Sequence, residues 1–316
     1  MSKISVIVPV YQDELSIRAN FLTLKAALDS ASPLFTYEII LVNDGSTDNS
    51  LLILEQLHAE FPQIVGVVNL VRNFGQVAAV IAGLARVSGD CAVIISSDLQ
   101  DPPELIVEMF NRWRHGAETV LAIRESRDDP WYNKFASRLF YRLMRRYALA
   151  SLPAGGFDFF LLDRAVITRI LGSAERNGFL QGQILAASSK IVQIPYKRRA
   201  RRSGTSGWGP LRKLKYLVDG FVAYSFLPIR LISFLGIATF ILALLLSCAL
   251  VLQNLLFGTA APGWSSLMIA LLVLHGFELL AIGVIGEYVW RALDQIRPRP
   301  LYVVDYFKAP LAESAP

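Results

Sequence analysis

Cysteine and the usual phosphate-binding glycine motifs are scarce or missing in this chain of 316 residues. Its two cysteines, Cys91 and Cys248, both lie within apolar runs, so we expect neither a disulfide framework nor a zinc site. No Gly-x-Gly-x-x-Gly motif follows the first apolar run, which argues against the common mode of dinucleotide binding. The absence of Gly-x-x-x-x-Gly-Lys-Ser/Thr excludes a P-loop enzyme. Because the first residues lead directly into that run, we expect no cleavable signal peptide.

Charged residues are absent from the segment 231–257, which is long enough to span a bilayer. A second apolar segment, 264–290, follows an uncharged turn, so we predict two transmembrane helices within 229–292. The hydrophobic fraction of 53% and the mean hydropathy of +0.43 are too high for an ordinary soluble protein, which supports this prediction. Glu278, deep in the second segment, either contacts a lipid phosphate or another subunit, or pairs with His275 one turn earlier.

Acidic residues are absent from the segment 190–215, which contains nine Lys or Arg residues. Such a block beside an apolar segment indicates an anionic membrane surface or a phosphate ligand in preference to nucleic acid. Basic residues precede and follow the pair of predicted spans, and the turn between the spans is uncharged, so the positive-inside rule places both termini and the N-terminal domain in the cytoplasm. We predict a juxtamembrane helix over 211–228. The segment 131–148 has an aromatic, apolar stripe opposite a basic face, which predicts an interfacial helix, although a solvated helix packed on the domain fits the same pattern.

Residues 1–210 are predicted to form one α/β domain, because short β-branched runs alternate with helical patterns. The predicted strands are Ile4–Val10, Tyr37–Val42, Ile64–Leu70, Cys91–Ile95, Thr119–Ile123 and Ile191–Tyr196. This alternation predicts right-handed βαβ units and a mostly parallel sheet with helices on both faces. The C-terminal tail, 293–316, contains a short strand-like segment over 301–307.

Polar side chains follow three of the predicted strands: Tyr11 and Asp13, then Asp44, then Asp98 and Gln100. The carboxyl ends of parallel strands meet at one crevice, so these side chains should converge. The Tyr11 ring could stack on a base. Asp44 could accept a hydrogen bond from the base and Asp13 from a ribose hydroxyl, while Asp98 could hold a metal that bridges a diphosphate. Each residue alone is more often a turn former. Together they predict a nucleoside-diphosphate site.

The stretch Ser96-Ser97-Asp98-Leu99-Gln100-Asp101 ends the fourth predicted strand with a cluster of oxygen-bearing side chains. Hard oxygen ligands of this kind suit Mg²⁺ or Mn²⁺ holding a phosphate. Two prolines and Glu104 follow, so we expect Asp101 to cap the helix that begins there.

Motifs in the N-terminal domain resemble the family 2 glycosyltransferases, which have the GT-A fold. The motifs are Val8-Pro9-Val10-Tyr11, Val42-Asn43-Asp44-Gly45-Ser46-Thr47-Asp48, Arg72-Asn73-Phe74-Gly75 and Asp98-Leu99-Gln100-Asp101-Pro102-Pro103-Glu104. Gly283-Val284-Ile285-Gly286-Glu287-Tyr288 and Arg299-Pro300-Leu301-Tyr302 extend the similarity over the whole chain. The branch that it resembles is the polyprenyl-phosphate glycosyltransferases, which include dolichol-phosphate mannose synthase and bacterial enzymes that load glucose or aminoarabinose onto undecaprenyl phosphate.

The resemblance implies an inverting transfer of a sugar from a nucleotide sugar to undecaprenyl or another polyprenyl phosphate, on the cytoplasmic face of the inner membrane. It favours a UDP-sugar such as UDP-glucose, with a guanine nucleotide as the alternative, and it implies a homotetramer. The implied donor-binding residues are Pro9, Tyr11, Asp13, Asp44, Ser97, Asp98 and Gln100, of which the last two hold the metal. The implied catalytic residues are Asp158 and Asp98, of which Asp158 corresponds to a carboxylate that acts as a base or positions the acceptor. The implied acceptor- or diphosphate-binding residues are Arg124, Arg127, Arg201, Arg202 and Ser206.

Three positions depart from the family pattern. Ser96 replaces the first carboxylate of Asp-x-Asp, which predicts weaker affinity for free metal. Gly207 replaces a lysine of the loop motif, and Phe160 stands where some relatives have arginine. A processive polysaccharide synthase is one alternative, but it should have more spans and a Gln-x-x-Arg-Trp motif, which are missing. A membrane scaffold that has lost its chemistry is the other, and Ser96 alone favours it.

Overall fold

A computed structural model of the chain describes residues 1–32, 34–124, 152–153, 156–173, 179–198, 234–238, 263–296 and 300–311, together with single positions and one pair between 142 and 256. The chain divides into two compact units. The first consists of Met1–Leu217 and Arg299–Pro316, and the second of Val218–Pro298. The predicted interfacial helix over 131–148 and juxtamembrane helix over 211–228 lie almost wholly outside the described residues.

Strands and helices alternate through the first 124 residues, as the hydrophobic pattern predicts. The strands of the first unit are β1 (Lys3–Val10), β2 (Thr36–Asn43), β3 (Val65–Leu70), β4 (Cys91–Ile94), β5 (Thr119–Arg124), β6 (Phe160–Asp163), β7 (Ile191–Tyr196) and β8 (Val304–Lys308). Its helices are α1 (Ile17–Ser30), α2 (Ser50–Glu60), α3 (Gln76–Leu84), α4 (Leu105–Arg114), α5 (Arg164–Ser173) and α6 (Leu180–Ala187).

These strands form one sheet in the order β7-β5-β6-β4-β1-β2-β3-β8. The pairs β1–β2, β2–β3, β1–β4 and β5–β7 are parallel, whereas β6 and β8 run antiparallel to their neighbours. The mostly parallel sheet that the sequence predicts is therefore present. The carboxyl ends of six strands, β1, β2, β3, β4, β5 and β7, lie along the same edge.

The two faces of the sheet bury alternate residues of its central strands, as strand geometry requires. Val6 and Val8 belong to the main hydrophobic core, which also contains the buried faces of α1, α2 and α4. Ile7 points to the other face, where Gly83 of α3 lies so close that an added Cβ would be 2.6 Å from the Ile7 side chain. Helices therefore cover both faces, and the sheet is a rigid support for the loops at its edges.

Two strands go beyond the expectation from the sequence. The four residues of β6 are not among the strands predicted from the sequence, yet β6 inserts antiparallel between β4 and β5. The strand-like tail forms β8, which pairs antiparallel with β3 at the edge of the sheet. Neither position follows from periodicity, because long connections bring both strands to their partners.

The second unit contains one continuous helix among its described residues, α7 (Trp264–Ile296). Large apolar side chains are exposed along it, including Leu279 and Ile282. His275 donates a hydrogen bond from Nδ1 to the Leu271 carbonyl oxygen over 3.1 Å, and Glu278 is exposed. Within the part of the chain that the structure describes, no helix is both long and apolar enough to cross a membrane.

Candidate active site

Two strained turns mark the carboxyl edge of the sheet. Gln12 follows β1 with φ of +51°, and Leu99 follows β4 with φ of +43°. They are the two non-glycine residues with positive φ among the described residues. Such backbone is costly for residues that carry a Cβ, and it concentrates at functional sites. The strain therefore falls on two of the three loops in which the sequence predicts a ligand site.

The loop after β1 is held by hydroxyl groups of the loop after β2. The Gln12 N–H donates to Ser46 Oγ over 3.1 Å, and the Asp13 N–H donates to Ser50 Oγ over 2.9 Å. One carboxylate oxygen of Asp13 accepts the Ser16 hydroxyl, and the other is buried without a described partner. Tyr11, which directly follows β1, is 45% exposed. The loop thus offers an aromatic surface and a spare acceptor, which suits a nucleoside.

Asp44 is buried at the end of β2, and its carboxylate is used by the protein itself. Its two oxygens accept the Phe74 N–H over 2.8 Å and the Gly75 N–H over 3.0 Å. The adjacent Gly45 has φ of +63°, and a Cβ there would lie 2.2 Å from the Arg72 carbonyl carbon. Asp44 therefore fixes the loop 72–75 beside the end of β2, a role that the sequence did not indicate.

The turn that carries Asp98 is attached to the hydrophobic core. The Leu99 side chain is 9% exposed and belongs to the hydrophobic core, while Asn20 Nδ2 donates to the Ser97 carbonyl oxygen over 2.8 Å. Asp98 Oδ1 accepts the Ser96 hydroxyl over 2.7 Å and the Gln100 N–H over 3.4 Å. The buried leucine thus sets the positions of its two polar neighbours at the rim.

The prediction that Asp101 caps α4 is wrong. The N-cap position is Glu104, and no side chain makes a capping hydrogen bond there. Asp101 is instead 1% exposed, accepts the Tyr196 hydroxyl and lies 3.4 Å from Arg198 Nε. Burial raises the pKa of its carboxyl group, and the hydrogen bond from Tyr196 opposes that rise. Burying a carboxylate without hydrogen-bond donors costs more free energy than leaving a helix end without a side-chain cap.

The strand register explains how Asp158 reaches this edge. In the antiparallel pair of β4 and β6, Ile94 lies opposite Phe160, so continuing the register brings residue 158 opposite residue 96. Asp158 accepts a hydrogen bond and ion pair from Arg124 over 2.8 Å, and its side chain is 53% exposed. The antiparallel insertion of β6 thus brings Asp158 to the same edge of the sheet as Asp98, which lies 60 residues earlier in the chain.

A continuous series of contacts joins the two candidate carboxylates, Asp98 and Asp158. Ser96 Oγ lies 2.7 Å from Asp98 and 3.5 Å from Asp101. Asp101 accepts a hydrogen bond from the Tyr196 hydroxyl, and the oxygen of that hydroxyl accepts one from Arg124 Nε over 3.3 Å. A terminal nitrogen of Arg124 donates to Asp158. We call Asp101, Tyr196, Arg124 and Asp158 the edge network. Burial, followed by the nearby Asp101 charge, raises the pKa of Tyr196, so its phenol remains a donor.

The side chains around Asp98 fit a metal that is shared with a ligand. No group of three His, Cys, Asp or Glu side chains that could hold a metal ion occurs within the described residues. Asp98 and Gln100 supply hard oxygens from the same turn, which suits Mg²⁺ or Mn²⁺ better than a thiolate-binding metal. Diphosphate oxygens would have to complete the coordination.

Part of the predicted site lies outside the described residues, namely Arg127, Arg201, Arg202 and Ser206. Pro9 lies in β1, and Ser97, Asp98 and Gln100 are partly buried. Their roles in donor binding stay predictions. The sequence did not identify Tyr196 or Arg198. Applying the rule of strand ends to β7 as well would have found both, because Tyr196 is the last residue of that strand.

Comparisons with known proteins agree with this geometry. A family model described as glycosyl transferase family 2 matches residues 5–171 of the chain. An uncharacterized glycosyltransferase of Synechocystis sp. is 36% identical over 304 residues, which cover 96% of this chain and 94% of that protein. A prophage bactoprenol glucosyl transferase homolog of Escherichia coli is 31% identical over 307 residues, which cover 97% of this chain and 99% of that protein.

Among solved structures, a mannosyltransferase from Pyrobaculum calidifontis in complex with GDP-Man and Mn²⁺ has a TM-score of 0.50 at 16% identity. The likeness covers 70% of this chain and 64% of that chain. At this identity it bears on the fold alone, and with the mixed sheet it confirms the predicted GT-A fold. The chain belongs to glycosyl transferase family 2, and it is a glycosyltransferase.

Proposed function

We propose that the chain transfers a sugar from a nucleotide sugar to polyprenyl phosphate, with UDP-glucose as the favoured donor and undecaprenyl phosphate as the favoured acceptor. The observation that carries this proposal is the match, over nearly the whole length of both chains, to a protein named bactoprenol glucosyl transferase. The edge network supports it, because Ser96 connects Asp98, on the donor side, to the Asp101 end of a network whose other end is Asp158.

On the donor side, Pro9 and Tyr11 contact the base, and Asp13 accepts a hydrogen bond from a ribose hydroxyl. The exposed ring of Tyr11 and the unpartnered carboxylate oxygen of Asp13 support these roles. Asp44 acts by holding the loop 72–75 against the nucleoside, since both of its oxygens accept N–H groups of that loop.

Asp98 and Gln100 hold Mg²⁺ or Mn²⁺ together with the diphosphate of the donor. A divalent ion at this position offsets the charge that develops on the departing diphosphate. One carboxylate holds such an ion weakly in the absence of a ligand, so the metal should bind together with the nucleotide.

In the transfer step, an oxygen of the acceptor phosphate attacks the anomeric carbon while the bond from that carbon to the diphosphate breaks. The configuration inverts, and the nucleoside diphosphate leaves. A phosphate monoester carries a charge of about −1.5 to −2 near neutral pH, so little proton removal is needed. Asp158 therefore orients the acceptor, and its partner Arg124 presents guanidinium N–H groups that suit phosphate oxygens.

The acceptor is a lipid, and the membrane arrangement belongs to the same proposal. The segments 231–257 and 264–290 span the inner membrane, the helices at 131–148 and 211–228 lie at its surface, and the catalytic domain and both termini are cytoplasmic. The chain assembles as a tetramer, as the family resemblance implies. The basic residues Arg127, Arg201 and Arg202, with Ser206, receive the lipid phosphate.

The test is transfer by the purified full chain in detergent or nanodiscs, given radiolabelled UDP-glucose, undecaprenyl phosphate and Mg²⁺ or Mn²⁺. Other UDP-sugars and GDP-mannose serve as parallel donors, and dolichyl phosphate as a parallel acceptor. We expect a lipid-extractable labelled product that loses its label on mild acid treatment. No lipid-linked product with any donor would overturn the proposed function.

A further inference from the structure

The C-terminal strand β8 is attached to the domain by side chains as well as by its backbone pairing with β3. The Tyr306 hydroxyl and Lys308 Nζ both bond Glu55 of α2, over 2.7 Å and 2.6 Å. The Arg86 guanidinium lies 5.6 Å from the centre of the Phe307 ring. These contacts account for how the strand is held, and none of them involves Asp305.

Asp305 occupies an irregular position in β8. The register pairs Asn69 with Tyr306 but Leu70 with Val304, so Asp305 is the extra residue at a β-bulge. Bulges redirect a side chain that regular alternation would send elsewhere. Here Asp305 Oδ2 accepts a hydrogen bond from Asn69 Nδ2 over 3.1 Å.

That bond begins a series of hydrogen bonds that ends beside the nucleoside site. Asn69 Oδ1 accepts from Asn43 Nδ2 over 2.8 Å, and both asparagines are buried. Asn43 Oδ1 accepts the Ser46 N–H over 3.2 Å. Ser46 Oγ in turn accepts the N–H of Gln12, the left-handed residue that follows Tyr11.

The direction of this series is fixed at both ends, by the Asp305 carboxylate, which can only accept, and by the Ser46 N–H, which can only donate. A carboxylate can only accept hydrogen bonds, so Asn69 must turn its NH₂ group toward Asp305 and its oxygen toward Asn43. Asn43 must then donate to that oxygen, which leaves its own oxygen facing the Ser46 N–H. If either amide were reversed, two donors or two acceptors would face each other in a buried site.

We infer that Asp305 is a positioning residue for donor binding, acting through two amides on the Tyr11–Asp13 loop. The inference rests on the proposed function, because it takes that loop as the nucleoside-binding segment. The carboxylate selects one amide orientation, and that orientation holds Ser46 where it can accept the N–H of Gln12. The tail of the chain thereby contributes to the affinity for the nucleotide sugar without touching it.

The test compares three variants of the full chain with wild type: Asp305→Ala, Asp305→Asn and Tyr306→Phe. Tyr306→Phe is the matched control, because it weakens the attachment of the same strand through Glu55 and leaves the amide series intact. Two quantities are measured, the exchange of the Ser46 and Gln12 amide hydrogens without nucleotide, and the dissociation constant and KM for the nucleotide donor.

In Asp305→Ala we expect amide exchange at both positions to be about tenfold faster and the donor KM about three- to tenfold higher, since one hydrogen bond to a charged group is lost. The kcat and the acceptor KM should change less than about twofold, Asp305→Asn should be intermediate, and Tyr306→Phe should match wild type. Unchanged exchange in Asp305→Ala, or equal changes in Asp305→Ala and Tyr306→Phe, would overturn the inference. The exchange measurement uses no substrate, so failure of lipid transfer would count against the proposed function alone.

Discussion

Replacing Tyr196 by Phe tests the edge network with little change of shape. The ring keeps its edge-to-face contact with Phe159, whose centre lies 6.2 Å away at an interplanar angle of 89°. The hydroxyl is lost, and with it the hydrogen bond to buried Asp101 and the 3.3 Å contact from Arg124. Removing a donor from a buried carboxylate costs about 1.5–3 kcal/mol. For a domain of this size, that corresponds to a fall in Tm of roughly 4–10 °C.

The kinetic effect follows from the freedom that Arg124 gains. Its ion pair with Asp158 remains, but the second contact that orients the guanidinium is gone. A loss of about 1.4 kcal/mol in the transition state lowers kcat about tenfold, whereas the donor KM should stay within about twofold. The assay is steady-state transfer at varied donor and acceptor concentrations, with thermal unfolding of the same preparations.

The pH dependence gives a second, independent readout for Tyr196→Phe. Burial raises the pKa of Asp101 in the folded chain, so the folded state binds this proton more tightly than the unfolded state. The carboxyl group therefore costs no stability below the unfolded pKa, about 3.8, and its cost grows as pH rises from there to the folded pKa. Loss of the Tyr196 donor should raise the folded pKa further, so the stability difference from wild type should be smaller at acid pH.

Tyr37→Phe is the matched control, because the Tyr37 hydroxyl also bonds an aspartate, Asp29, but at an exposed position where β2 begins. We expect this control to retain wild-type kcat and to lose less than about 1 kcal/mol of stability. If Tyr196→Phe retained wild-type kcat and Tm, or if both variants lost activity equally, the reasoning about the edge network would be refuted.

Two further predictions concern the anchor of the Asp98 turn and the opposite edge of the sheet. Leu99→Ala should cost about 2–4 kcal/mol of unfolding free energy and also lower kcat, because the turn loses its buried side chain. The control, Leu24→Ala in the same core, should cost as much stability and leave kcat unchanged. Equal kcat values for the two variants would contradict this. Burial disfavours the charged form of Glu38, but hydrogen bonds from Lys3, Ser5 and Ser88 outweigh it and lower its pKa. The stabilisation by Glu38 should therefore be present above the unfolded pKa, about 4.5, and be lost as pH falls through the folded pKa. In denaturant unfolding, the free energy of unfolding of Glu38→Gln should fall less steeply toward acid pH than that of wild type. An equal fall in both proteins would contradict this prediction.

The local pattern predicted the central strands well, because buried parallel strands read as continuous β-branched runs. The run from Ile4 to Val10 and the run from Cys91 both ended within a residue or so of the observed strands. The polar residues that followed them were therefore placed correctly at one edge. Hydrophobic periodicity sufficed there because β1, β2 and β3 pair in chain order through βα connections, and β4 pairs with β1 on its other side.

The contacts that complete the site were not predictable in the same way. Asp101 has the sequence context of a helix cap, and only the approach of Tyr196, 95 residues later, shows that it is an interior acceptor. Asp158 reaches the edge through the antiparallel insertion of β6, and Asp305 through a bulge in an edge strand. These are tertiary effects of long connections, which neither propensity nor periodicity encodes.

The central claim is that the carboxyl edge of the sheet, with Asp98 and Asp158, is the centre of sugar transfer to polyprenyl phosphate. The most direct measurement is the rate of lipid-linked sugar formation by wild type, Asp98→Ala, Asp158→Asn and Asp90→Asn in parallel, with folding checked by thermal unfolding. Asp90 is the control, because its carboxylate bonds the Lys3 N–H at the opposite edge of the sheet. We expect Asp98→Ala and Asp158→Asn to fold and to lose about a hundredfold or more of the rate, while Asp90→Asn keeps it. Near-normal transfer by folded Asp98→Ala or Asp158→Asn would contradict the account.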